Sequence, residues 1–201
     1  RDNALAISGL LTDKVGGPSV KPYQPEGVWE ELAGGAGEGP YVQDKDEQLY
    51  RRSLYIYRKR TVPHPTMATF DAPNRDICQV ARQRTNTPLQ ALALLNDVTY
   101  IEAARQLAIS AMERGGSSVE DQLKYAFRRA TCRPPNEREL AILIRSFERS
   151  QKQFATDPEA AKQYTQIGES QPTESIDSIE LAAFTHVAST ILNLDETITK
   201  E

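Results

Sequence analysis

The chain has 201 residues, of which 39% are hydrophobic and 26% charged, with a net charge of −4. That length and balance suit one folded core and exclude a disordered or collagen-like chain. No apolar run approaches bilayer thickness, so no membrane span is expected.

In chain order, Leu5, Ile7, Leu10 and Leu11 repeat at helical spacing, and Gly16-Gly17-Pro18 follows, so a first helix is expected to end near Leu11. Pro18, Pro22 and Pro25 then impose extended backbone, with a short helix over Pro25 to Leu32 that Trp29 anchors to the core. Glycines at 34, 35, 37 and 39 make a loop that ends at Pro40. The run from Asp46 to Arg60 reads as helix or strand. Its length favours helix, with Asp44 or Asp46 as the cap. A helical turn is expected at Thr66 to Phe70, a turn at 71–74, and a short element at Ile77 to Val80.

From there the start signals are clear. Thr87, Pro88 and Gln90 form a capping box ahead of Leu89, Leu92 and Leu95, and Asn96-Asp97 kinks or re-caps a helix that Gly115-Gly116 ends. Ser118 with Asp121 starts a helix over Val119 to Thr131, and Asn136 with Glu139 starts one carrying Leu140, Leu143, Ile144, Phe147 and Phe154. Asp157-Pro158 caps a short helix to about Gln166. Asp177 with Glu180 starts the last, in which Leu181, Phe184, Val187 and Ile191 face inward and His186 is placed beside them. The expected fold is all-α: an irregular antiparallel helical bundle with a long Pro/Gly-rich loop region, 1–201 forming a single helical domain.

Charge is uneven. Between Arg51 and Arg84 eight basic residues face only Asp71 and Asp76, a local +6 that leaves −10 elsewhere. Either these charges pair internally with the flanking acidic helices, or they line a positive cleft for an anionic ligand. His64 and His186 have no companion at metal-ligand spacing, and no Cys-x-x-Cys-His is present, so no metal, haem or other cofactor is expected in this stretch.

Several motifs carry a resemblance. Tyr50-Arg51-Arg52-Ser53-Leu54-Tyr55, Lys59-Arg60-Thr61-Val62-Pro63-His64-Pro65, Phe70-Asp71-Ala72-Pro73, Arg84 through Asp97 and Asn193-Leu194-Asp195-Glu196 resemble the C-terminal domain of unknown function of large planctomycete-type secreted proteins. Such proteins also carry a cytochrome c domain and a second uncharacterised domain. The resemblance implies a periplasmic or secreted location, upstream domains of the same polypeptide as partners, and a chain that is the C-terminal part of a longer domain. An oxidising compartment would also permit a Cys78–Cys132 disulfide. No catalytic residue carries over from it.

Three functions remain open. The first is a non-catalytic recognition domain, docking on its upstream domains or binding an acidic or sulfated polysaccharide. Its expected contacts are Arg51, Arg52, Tyr55, Arg60, His64, Asp71, Arg82, Arg84 and Asn86, because guanidinium pairs with carboxylate or sulfate and tyrosine stacks on sugar rings. The second is a polysaccharide-acting enzyme using Asp71 and Asp76. The third, nucleic-acid binding through the tyrosine-interleaved basic run, is opposed by the acidic remainder and a pI near 5.4.

Overall fold

The structure, a computed structural model, describes residues 1–29, 40–59, 61–74, 77–81, 83, 85–172 and 176–199. Its contacts divide the chain into two compact units, residues 1–11 with 94–201 and residues 12–93. The regular structure among the described residues is α-helix with two short 3₁₀ turns, and the fold is all-α.

The larger unit is helical. Its elements are α1 (Asp2–Ser8), the end of a helix over Pro88–Asn96 (α3), α4 (Val98–Arg114), α5 (Val119–Thr131), α6 (Glu137–Thr156), α7 (Pro158–Thr165), α8 (Ser178–Leu192) and α9 (Asp195–Ile198). The helix α8 is apolar on nearly every side and therefore takes the centre, packing against α4, α5, α6 and α7. Alanines 103, 104, 108 and 111 bring α4 into close packing, and Phe147 of α6 meets Phe184 of α8 with ring centroids 4.6 Å apart. His186 lies on the one exposed side of α8, not the inward side expected. The apolar pattern runs almost all the way round that helix, so it could not assign a face.

Side-chain caps set the helix starts as anticipated. Ser118, Asn136, Asp157 and Asp177 each accept a backbone N–H from the first turn, and Asn136 with Glu139 closes a full capping box. Asp97 accepts from the Thr99 N–H and separates α3 from α4. The first helix is shorter than its periodicity indicates. It ends at Ser8 because Gly9 adopts φ 86, and its N–H closes onto Leu5 and Ala6 carbonyls.

Charge is also buried in this unit. Glu102 and Arg105, both wholly enclosed, hold the 165–170 loop: Arg105 Nη1 donates to the Thr165 carbonyl at 3.0 Å, its Nη2 to Ser170 Oγ at 2.9 Å, and the Ser170 N–H donates to Glu102 Oε1 at 2.6 Å. Gly168 has φ 92, and a Cβ there would fall 2.6 Å from the Glu102 carboxyl carbon. Glycine is required at that turn.

The unit of residues 12–93 is mostly irregular. It holds α2 (Pro65–Thr69), the start of α3, and 3₁₀ turns at Asp46–Tyr50 and Ser53–Tyr55. The run from Asp46 is thus neither the helix favoured from its length nor the alternative strand. Arg51 breaks it, standing in extended backbone at φ −64, ψ 154, and isolated parallel bridges join Thr12 to Arg51 and Val20 to Ile56. Asp44 caps nothing there; it accepts the Lys21 N–H at 2.7 Å. Residues 77–80 form no regular element, with Ile77 and Val80 exposed. Trp29 is buried as expected, and Val28 and Trp29 are helical after a turn at 26–27, while residues 30–32 of the proposed helix and the glycine loop at 34–39 lie outside the described residues.

Candidate functional site

The basic stretch lies wholly in the unit of residues 12–93, and the structure shows how several of its charges are used. Arg51 is 1% exposed. Its Nη1 donates to the Pro18 carbonyl at 2.9 Å and its Nη2 to the Lys14 carbonyl at 3.1 Å and to Gly16. One guanidinium therefore gathers three carbonyls of the 14–18 loop, which the glycines and proline there leave without partners of their own. The same guanidinium lies 4.0 Å from the ring centroid of Tyr55. The Tyr55 hydroxyl in turn accepts the Gly16 N–H at 2.9 Å. That bond first, and then the neighbouring Arg52 and Arg51, lower the Tyr55 pKa.

Other expected contacts are also engaged. His64 is buried, and its Nε2 donates to the Tyr23 carbonyl at 3.0 Å, which places the proton on Nε2. It serves as the residue before α2, with Pro65 at the first helical position. Asp71 stands in left-handed backbone at φ 56, and its Oδ2 accepts both the Thr85 N–H at 3.0 Å and the Thr85 hydroxyl at 2.7 Å. The carboxylate closes a loop between the end of α2 and the cap of α3. Arg52 is half-buried with its guanidinium 5.9 Å from the Tyr55 ring, and Asn86 is exposed. Arg60, Arg82 and Arg84 lie outside the described residues, as does Asp76.

Sequence reasoning missed a second cluster. Trp29 packs between Tyr41 and Tyr57 at centroid distances of 5.3 and 5.9 Å, and Lys59 Nζ stands 4.5 Å from the Trp29 ring. Lys21 Nζ lies within 6 Å of all three rings, 5.4 Å from Tyr57. Two ammonium groups on one aromatic group are stabilised by the ring quadrupoles. No spacing rule links residues 21, 29, 41, 57 and 59; only the aromatic content of the segment hinted at it.

The helix α3 supplies the open face of this region. The Gln90 N–H donates to Thr87 Oγ1 at 3.3 Å while Gln90 Oε1 accepts the Thr87 N–H at 3.1 Å, the capping box read from sequence. Gln90 Nε2 further donates to the Thr69 carbonyl and to Thr85 Oγ1, both at 2.9 Å. With Gln90 and Leu94 turned inward, Leu89 and Leu92 must face out, and they are 59% and 57% exposed.

A family model described as "PSD1: Protein of unknown function (DUF1553)" matches residues 1–147. The chain belongs to this family. The DUF1553 match takes in the whole of the unit formed by residues 12–93 and ends inside α6 at Phe147, so α7, α8 and α9 lie beyond it. The central helix of the larger unit is thus outside the matched residues. No curated protein and no solved structure matches the chain. No helix among the described residues is long and apolar enough to cross a membrane. Cys78 and Cys132 are both exposed free thiols, not the disulfide that an oxidising compartment would permit.

Proposed function

We propose that this DUF1553 chain is a non-catalytic interaction domain of a secreted or periplasmic multidomain protein, one that also carries a cytochrome c domain, and that it docks on an upstream domain of the same polypeptide through α3. The observation that carries this reading is the outward pair Leu89 and Leu92, on a helix without a single charged residue and locked in rotation by Gln90. Apolar side chains held rigidly in water mark a surface that another protein covers. The resemblance to multidomain proteins supplies the partner.

The competing readings draw less support. Sugar stacking would lean on Tyr55, whose ring carries Arg51 on one face and whose hydroxyl is bonded to Gly16. Glycosidic chemistry would need the Asp71 carboxylate, which instead closes the Thr85 loop.

The test is capture of the chain by its immobilised upstream domains, comparing wild type with a Leu89→Glu, Leu92→Glu double variant. Wild type should be retained and should stay bound in high salt, as an apolar interface does. The double variant should be lost while its circular dichroism and melting remain unchanged. Retention of the double variant, or wild-type binding only to sulfated glycans and only at low salt, would overturn the docking reading.

A further inference from the structure

The larger unit holds a feature unrelated to α3. A depression of about 420 Å³ beside the C-terminal half of α5 is lined by Tyr125, Arg128, Arg129 and Cys132. Tyr125, Arg128 and Arg129 stand at i, i+3 and i+4 on one side of α5, and Cys132 follows as its left-handed C-cap. The depression is shallow and open to solvent, so binding there rests on the side chains at its edge.

Its charges are less engaged than those of Arg51 and Arg58, whose guanidinium groups bind backbone carbonyls. Arg129 Nε donates to the Ile7 carbonyl at 2.5 Å, and a Cβ on Gly9 would come 3.9 Å from its Nη2, so the guanidinium rests against the end of α1 with its terminal nitrogens available. Arg128 is exposed, and among the described residues no hydrogen bond or ion pair engages its guanidinium. The acidic residues at the start of α5 are occupied by Lys124, at 2.6 Å from Glu120 and 4.0 Å from Asp121. Arg133, next along the chain, is taken up by Glu139 and Glu196. Around Tyr125 the field is positive: its hydroxyl, 3.3 Å from Ser110 Oγ, has a pKa lowered first by that bond and then by Arg129 and Arg114.

We propose that this depression binds a small ligand bearing an oxyanion, a carboxylate, sulfate or phosphate group, with Arg128 and the terminal nitrogens of Arg129 as its contacts. A guanidinium presents paired N–H donors matched to two oxygens of such a group, and Arg129 is already fixed by its bond to Ile7, so little order is lost on binding. The Tyr125 ring forms the apolar wall for whatever the anion is attached to. Cys132 lies on the lining and is exposed, so it reports occupancy without contributing charge.

The two free thiols supply the assay. Alkylation of Cys132 and Cys78 by neutral iodoacetamide is followed by peptide mass spectrometry on the full chain, with inorganic sulfate, inorganic phosphate or galacturonate added at ionic strength held constant with chloride. Saturable protection of Cys132, with Cys78 unchanged, is expected. The most effective of the three anions identifies the source of the group. Arg128→Ala should weaken protection, taken relative to each variant's own unprotected alkylation rate, about tenfold or more, the loss of a charge-assisted contact, while circular dichroism stays as in wild type. Arg128→Lys should restore part of it. No protection by any of the three, equal protection at both cysteines, or protection indifferent to Arg128→Ala would each overturn the proposal.

Discussion

In the unit of residues 1–11 and 94–201, α4 to α8 begin where a side chain three residues or fewer away accepts a backbone N–H, as Asn136, Asp157 and Asp177 do. In the unit of residues 12–93, backbone groups are satisfied from far along the chain: Arg51 reaches carbonyls at 14, 16 and 18, Arg58 those at 73 and 74, His64 that at 23 and Gln90 that at 69. Both units obey the rule that buried backbone polar groups must be paired. They differ in the balance: local caps dominate the first, with Arg105 and Arg129 as its long-range donors, whereas long-range donors dominate the second, with Thr87 as its local cap. That balance shapes how each responds to losing one side chain.

The largest effect is expected from the two buried arginines, one in each unit. Arg105→Met leaves Glu102 enclosed with its charge unmatched and should cost about 3–5 kcal/mol, read as a fall in the denaturant midpoint. Arg51→Met strips three carbonyls of a donor but strands no carboxylate, and should cost about 1–3 kcal/mol. Its signature is local: faster hydrogen exchange and proteolysis at 14–18, with α4 and α8 still protected. Global unfolding of both units by Arg51→Met would erase the contrast.

Legibility divides along the same line. The caps at Thr87, Ser118, Asn136, Asp157 and Asp177 could be read because each signal and its effect sit within one helical turn, and so could α5 from Val119 to Thr131. The segment from Asp46 could not. Its tyrosines and leucines fit a helical pattern, yet Arg51 is drawn into extended backbone by carbonyls more than thirty positions earlier. The same holds for the candidate site: Arg51, Tyr55, His64 and Asp71 stand out in the sequence as charged or aromatic groups among prolines and glycines, and the bonds they make in the structure are to the chain itself. Glu102 and Arg105 were missed, although two charges on the stripe of Ile101, Ala104 and Ala108 are themselves a sign of a buried pair.

A middle-sized effect sharpens the comparison at the caps. Thr87→Ala and Asn136→Ala each remove an acceptor from a capping box, worth about 1 kcal/mol. Equal midpoint shifts would mean that a cap counts the same in either setting. A larger shift for Thr87→Ala is expected, because Gln90 also bonds Thr69 and Thr85 and releases both when the box opens.

The smallest effect concerns pH. The Arg133 guanidinium, and then the Asn136 N–H, hold the Glu139 carboxyl at about 2 instead of 4.5. Folding has lowered this pKa, so the contribution is complete above pH 4.5 and is lost as the pH falls toward 2. Because Glu139 is open to solvent, the slope should be shallow, and salt should flatten it. Glu139→Gln should remove that part of the acid sensitivity. An unchanged acid-unfolding curve would show that the bridge adds nothing.

The interruption of the larger unit by residues 12–93 carries a consequence for synthesis. Leu5 and Ile7 of α1 pack against α4, which begins only at Val98. At the ribosome's pace of roughly 5–20 residues per second, α1 emerges on the order of ten seconds before its partner exists. During that interval a seven-residue helix is too short to persist alone. Its apolar side chains are then open to a chaperone, and α1 settles only once α4 has been made.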